Sequence, residues 1–226
     1  TDGTESLKDA NEALAKLVFE KCKPPKDSRL LDVGCGFGSQ DLLWLECLRS
    51  QEKGDLSSSI TAVDIGSSQI EYANKERKAR NIPKSVLNYI KGDAHKLDEL
   101  FSERATYTHV LSLESAFHYS ERPLFFKSVY EVLEEKGTFV ISDIVLKESL
   151  DFSSLLFAKL FANTLAMPQS NFVTVDGWKE SITKAGLQLE SLDDITDFTF
   201  HPYYSHTLTP KRFGRYVPDS AANLIR

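Results

Sequence analysis

Five acids in this sequence stand where short apolar runs stop: Asp32 in LLDV, Asp64 after TAV, Asp93 in KGD, Glu114 after LSL and Asp143 after VIS. Carboxylates accept hydrogen bonds from hydroxyl, ammonium and amino groups, so acids gathered at one edge could read the donors of a single polar ligand. Between the first two lies Gly34-Cys35-Gly36-Phe37-Gly38. Glycine permits positive φ and lets the main chain approach a ligand without a Cβ collision, while a helix starting directly behind it offers free N–H groups. Further on, Glu114 and His118 are four residues apart, a spacing that puts them on one face of a helical turn. An imidazole titrating near neutral pH is suited to take a proton from a reacting group.

The elements that must hold these residues alternate in pattern, strand then helix, from about residue 29 to residue 195. Alternation of this kind predicts an α/β fold: a Rossmann-like, doubly wound, mostly parallel sheet of seven strands with helices on both faces. The strands are expected at Arg29–Val33, Ile60–Val63, Val86–Ile90, Tyr107–Leu113, Thr138–Ser142 and Leu187–Leu192, with a last edge strand near Phe198, Phe200, Tyr203 and Tyr204. A helix over Leu7–Cys22 is closed by Pro24-Pro25, and a second is capped by Ser39 and carries Leu42, Leu43, Leu45 and Leu48. Others run from Ser67 to Arg80 ahead of Pro83, from Pro123 to Glu134, and from Val175 to Ala185. One domain accommodates all of it, with an N-terminal helix in residues 1–25, a ligand-binding core in 29–145, an inserted helical lid in 146–173 and a completion of the sheet in 174–226. Ligands of open α/β sheets bind outside the carboxyl ends of the strands, where the five acids stand.

Composition narrows the classes. With 41% hydrophobic and 27% charged residues, 226 residues suit a globular domain, and no apolar run reaches the roughly 20 residues of a membrane span. A net charge of −6 gives no general attraction to nucleic acid, and Lys211, Arg212 and Arg215 in the tail read as solvated surface. Cys22, Cys35 and Cys47 are odd in number and lack CxxC spacing, which argues against a disulfide framework and against a metal site. A reducing compartment, the cytoplasm, is expected. The first residue is Thr1 rather than methionine, so a processed or trimmed form is expected, one in which a targeting segment is not visible. Nothing in the sequence speaks to oligomeric state.

The glycine turn alone fits a dinucleotide site, which also sets an acid on a ribose about 20 residues later. Two features separate the options: the spacing G-x-G-x-G with an acid two residues ahead, and a second acid-bearing turn, Lys91-Gly92-Asp93-Ala94. With these, the sequence resembles the class I S-adenosylmethionine-dependent methyltransferases over roughly Leu30 to Ile195, LLDVGCGFG being similar to that family's D/E-x-G-x-G-x-G signature. The resemblance implies S-adenosylmethionine as cofactor and S-adenosylhomocysteine as product. It sets Gly34, Gly36 and Gly38 along the methionine part, Asp32 at the ammonium and Asp64 on both ribose hydroxyls. It also sets Ile65 against adenine, Asp93 at the adenine amino group with Ala94 beside it, and Leu113 among the cofactor-lining residues.

The stretch LSLESAFHYSERPLFFKSVYEVLEEKGTFVISD is similar to a small-molecule branch that includes sterol, tocopherol and natural-product sugar O-methyltransferases. It departs from that branch at Glu135-Lys136-Gly137-Thr138, where a P-G-G turn is usual. Side-chain chemistry makes His118 the expected general base, Asp143 the group that orients its imidazole or the acceptor, and Glu114 a residue that binds the acceptor or stabilises positive charge. Phe117 and Tyr119 become wall residues, and His201 and His206 part of a packed tail. Methyltransferases of nucleic-acid base amines carry N/D-P-P-Y/F after the fourth strand and cytosine C5 enzymes a Pro-Cys, whereas here the turn reads ESAF and no cysteine follows Cys47. The expected activity is methyl transfer to O, N or C of a small, partly apolar molecule, with no nucleic-acid partner. A protein side chain as acceptor, a catalytically silent partner subunit and, more distantly, an NAD-dependent oxidoreductase are the competing readings.

Overall fold

The computed structural model describes residues 7–52, 56–101, 106–146, 151–152, 156 and 166–199. The chain divides into two compact units, Ala15–Leu189 and a second drawn from Thr1–Leu14 with Glu190–Arg226. In the second unit the described residues are the first turns of helix α1 (Leu7–Cys22) and residues 190–199, which end in one helical turn.

Five strands form one sheet: β1 (Arg29–Val33), β2 (Ser59–Asp64), β3 (Leu87–Lys91), β4 (Tyr107–Leu113) and β5 (Leu133–Ser142). All neighbours pair in parallel, in the order β3-β2-β1-β4-β5. The order reverses between β1 and β4, the switch point at which such sheets open a crevice. Parallel strands are buried on both faces and so read as continuous apolar runs; Leu30, Leu31 and Val33 of β1 have no exposed surface. Their alternation splits the core. Leu30 packs with Val18, Trp44, Leu48 and Ile70 on one face, and Leu31 and Val33 pack with Phe125, Val129 and Trp178 on the other. The first face is covered by α1, α2 (Ser39–Gln51) and α3 (Ser67–Ala79), the second by α4 (Leu97–Leu100), α5 (Arg122–Val132) and α6 (Val175–Lys184). Trp44 Nε1 donates to the Ala15 carbonyl at 2.8 Å, pinning α2 to α1.

The expected fold class, a parallel sheet with helices on both faces, is the one observed, with local differences that have physical causes. Ser39 is the first helical residue of α2 rather than its cap. Gly38 takes the capping position at φ +78°, a left-handed conformation that glycine adopts without the steric cost of a Cβ. Helix α5 ends at Val132 rather than Glu134, and β5 starts at once. The expected Lys136-Gly137 turn is an irregularity inside the strand: Tyr107 pairs with Leu133, the next pair is His109 with Thr138, and Lys136 stands at φ +65°. Residues 187–192 have no strand partner, so the sheet has five strands among the described residues rather than seven. Phe200, Tyr203, Tyr204, His201, His206, Lys211, Arg212 and Arg215 lie outside the described residues, as does most of the expected lid in 146–173. Beyond β5, Leu146 forms a parallel bridge with Thr174, donating to the Val173 carbonyl at 2.9 Å.

Candidate functional site

A parallel sheet brings the carboxyl ends of its strands to one edge, so Asp32, Asp64, Asp93, Glu114 and Asp143 collect there. Asp64 closes β2 and bridges two loops. Its Oδ2 accepts from the Gly36 N–H at 2.9 Å and its Oδ1 from the Gly66 N–H at 2.8 Å. Each carboxylate oxygen keeps a further lone pair for a donor from outside. Ile65, next in sequence, is 69% exposed, and Phe37 in the glycine loop is 57% exposed, its ring edge-on to Tyr72 with centroids 5.5 Å apart.

The three glycines do different work. Gly34 (φ +85°) is hemmed in, since a Cβ there would fall onto Ser115 Oγ and 2.7 Å from the Tyr119 hydroxyl. At Gly38 a Cβ would run into the Tyr89 hydroxyl, which donates to the Gly38 carbonyl at 3.1 Å. At Gly36 (φ +54°) a Cβ would meet nothing within 4 Å. Open space over a backbone held by Asp64 is a cradle a ligand can fill.

Asp32 is fully buried in the central strand, a costly place for an acid. Gln40 Nε2 donates to its Oδ2 at 3.0 Å, while its Oδ1 and both oxygens of the equally buried Asp41 have no donor. Burial, with the Asp41 carboxyl acting on it, pushes the Asp32 carboxyl well above the usual carboxylate range, and burial pushes that of Asp41 up to about 7. The buried pair therefore favours holding a proton. Asp41 is a site residue that sequence reasoning missed: an acid in the first turn of a helix reads as a dipole partner facing water.

Asp93 Oδ1 accepts from the His95 N–H at 2.9 Å and lies 2.7 Å from His95 Nδ1. His95 Nε2 accepts from the Glu121 N–H at 3.4 Å, which assigns the proton to Nδ1. Hydrogen bonding from the His95 backbone holds the Asp93 carboxyl below its usual range. Ala94 is buried, and its carbonyl receives the Ser128 hydroxyl at 2.6 Å. His95 was also missed, although its place two residues after the acid was the available signal.

Past β4, whose last residue is Leu113, Glu114 stands at φ +50°, a strained conformation for a residue with a Cβ. Its Oε1 accepts from the Ser142 hydroxyl, and partial burial raises its carboxyl against that bond, with the nearby Asp143 also raising it and His118 lowering it. His118 ends a short 3-10 turn, Ala116–His118, is exposed, and lays its ring on Phe117 at a centroid distance of 4.1 Å. Below this turn a chain of hydroxyls runs back to β1. Ser115 donates to the Val33 carbonyl at 3.0 Å, which leaves Tyr119 as donor to Ser115 Oγ at 3.0 Å, and Ser112 reaches the same carbonyl at 3.1 Å.

Asp143, expected to orient the imidazole or the acceptor, is held by three neighbouring donors. Its Oδ2 accepts from Arg122 at 2.8 Å and from Trp178 Nε1 at 2.8 Å, and its Oδ1 accepts from the Ile144 N–H at 2.9 Å. Burial raises its carboxyl and the Arg122 charge opposes that rise. The His118 charge acts on Glu114, while the hydrogen bonds of Asp143 go to Arg122, Trp178 and the backbone. Among the described residues no group of three His, Cys, Asp or Glu is gathered as a metal site.

A family model described as a methyltransferase domain matches residues 24–185. Erythromycin 3''-O-methyltransferase of Saccharopolyspora erythraea is 28% identical over 211 residues, which are 91% of this chain; the chain spans 65% of that relative's length. Among solved structures, geranyl diphosphate methyltransferase in complex with S-adenosylmethionine superposes with a TM-score of 0.71 at 15% identity, covering 90% of this chain and 75% of that one. The [4+2]-cyclase SpnF superposes with a TM-score of 0.69 at 18% identity, covering 98% and 76%. At these identities the two structures speak for the fold, and the second carries a different chemistry on it.

Proposed function

Because the chain belongs to the methyltransferase-domain family, whose model covers residues 24–185, we propose that it transfers the methyl group of S-adenosylmethionine to O, N or C of a small, partly apolar molecule. The observation that carries this reading is the pairing of a fully buried carboxyl with an unpartnered oxygen, Asp32, with an open Gly36 held by Asp64. A ligand with an ammonium group and vicinal hydroxyls supplies the donors that these acids lack, so the residues fit the cofactor. Asp32 holds the ammonium, Asp64 the two ribose hydroxyls, and Gly34, Gly36 and Gly38 border the methionine part. Ile65 and Ala94 flank the adenine, Asp93 uses its second oxygen for the adenine amino group, and Leu113 closes the wall.

Bound there, S-adenosylmethionine supplies an electrophilic methyl on a good leaving group, so the protein's share is alignment and, for an O–H or N–H acceptor, proton removal. His118 takes that proton at its imidazole. Glu114 sits beside it and stabilises the imidazolium. Asp143 supports the loop through Arg122 instead of touching the imidazole. The erythromycin relative, by name an O-methyltransferase, supports oxygen as acceptor atom and a small molecule as substrate. No helix among the described residues is long and apolar enough to cross a membrane; three free cysteines support a cytoplasmic, reducing location.

Calorimetry of the purified protein with S-adenosylhomocysteine tests the cofactor, and a labelled-methyl screen against a metabolite extract tests the acceptor. No heat of binding, or unchanged binding in Asp64→Ala, overturns the reading. A [4+2]-cyclase on the same fold makes the screen the decisive arm, since cofactor binding without label transfer would point to chemistry other than methylation.

A further inference from the structure

His118 has little of its own to hold it. Its N–H donates to the Ser115 carbonyl at 3.0 Å within the 3-10 turn, and its ring rests on Phe117. The carbonyls of the residues on either side of it are held from elsewhere. Asn171, 1% exposed at the end of a second 3-10 turn (Gln169–Asn171), donates from its side-chain Nδ2 to the carbonyl of Phe117 at 2.8 Å and to that of Tyr119 at 2.7 Å. One NH₂ group thus grips both carbonyls flanking His118. Asn171 is itself anchored: Arg122 donates to its carbonyl at 3.2 Å while pairing with Asp143 at 2.8 Å and reaching the Ile144 carbonyl at 3.1 Å. Around these bonds Phe117 and Met167 are buried together against Ile144 and Phe172, and Ser170 donates to the Ser120 carbonyl at 2.7 Å.

Resting on the reading of His118 as base, we propose that Asn171 is a positioning residue that sets the place of the His118 imidazole, with Arg122 and Asp143 as its footing. The chemistry of the side chain is specific. Two donors forking from one short stem are available only from asparagine: aspartate presents lone pairs to the two carbonyls, serine has one donor and alanine none. The other half of the amide, Oδ1, is buried without a donor. An unpartnered buried acceptor is a cost that an apolar side chain would avoid, and the two carbonyl contacts are what offsets it.

Imidazole ¹H–¹⁵N spectra of histidine-labelled protein saturated with S-adenosylhomocysteine test this without needing the acceptor. Of the five histidines, His118 is assigned by the signal lost in His118→Ala. In Asn171→Ala the His118 signals are expected to move and broaden, with those of His109 in β4 unchanged; Asn171→Ser, keeping one donor, falls between. His118 signals that coincide with those of the parent protein overturn the proposal. Should the alanine variant fail to fold, Asn171→Asp, of equal size and without donors, gives the same readout. Once an acceptor is in hand, Asn171→Ala should lose roughly tenfold or more in turnover, and the Asn171→Ala/His118→Ala double variant should be no slower than His118→Ala alone. If the His118 signals move but His118→Ala turns over normally, the clamp stands and the assignment of His118 as base falls.

Discussion

Arg122 and Asp143 form an ion pair of 2.8 Å in which neither side chain is more than 4% exposed. Arg122 begins the helix after the His118 turn and Asp143 follows β5, so the pair ties that helix to the end of the sheet. Removing one partner of a buried pair strands the other charge and costs about 3–5 kcal/mol. Asp143→Ala is expected to lose stability of that order in urea unfolding, and Asp143→Asn, which keeps an acceptor for Trp178, to lose less. An alanine variant of parental stability that has lost turnover would return Asp143 to a direct catalytic role.

The glycines offer a contrast within one loop. Gly34→Ala drives a Cβ into Ser115 and Tyr119, so it should lower the melting temperature of the ligand-free protein. Gly36→Ala meets open space and carries only the left-handed backbone cost of about 1–2 kcal/mol, yet it fills the cradle. Calorimetry with S-adenosylhomocysteine should find at least tenfold weaker binding in Gly36→Ala. Equal affinities in Gly36→Ala and the parent would place the ligand elsewhere.

Acid pairing makes the ligand-free protein pH-sensitive. Asp32 and Asp41 have folded-state pKa values above the unfolded value, Asp41 at about 7, because burial disfavours their charged forms. An acid raised by folding binds its proton more tightly in the folded state, so its contribution is fully present below about pH 4 and is lost as pH rises through the folded value. Melting temperature should therefore fall between about pH 4 and about pH 7, the unfolded and folded values of Asp41. Asp41→Asn should flatten that slope and melt higher than the parent at the alkaline end; a slope unchanged by the substitution would assign the pH dependence to other groups.

For the chemistry, His118→Ala should reduce turnover of an O–H or N–H acceptor by about 10²–10⁴, the usual yield of a general base, with S-adenosylhomocysteine affinity unchanged. Steady-state rates beside calorimetry separate the two effects. Rates at the parental level remove His118 from its role.

Where the sequence could be read, it was read through backbone chemistry. Strand β1, the glycine loop and Asp64 were legible because glycine spacing and apolar runs are local signals, and parallel pairing then places every strand-end acid at one edge without further information. Asp41 and Asn171 were not legible. Both look like ordinary polar residues near helix starts, and what makes them unusual is burial against partners 9 and 52–54 positions away, Asp32 for one and the Phe117 and Tyr119 carbonyls for the other. The partners of Asp143 were not legible either, because Arg122 and Trp178 reach it from helices 21 and 35 residues away in the chain. The early end of α5 and the unpaired residues 187–192 are similar cases, in which ladder pairing rather than propensity sets the boundary.

The missing side chain of Gly34 is filled by Ser115 and Tyr119, so the loop expected to hold the methyl donor and the loop expected to meet the acceptor pack directly against each other. That joint limits how the protein can be redesigned or can drift. Positions 115 and 119 are committed to fitting a glycine, and a larger residue at either would press on the Gly34 backbone. New acceptor preferences must therefore be written elsewhere, on residues that do not lean on Gly34.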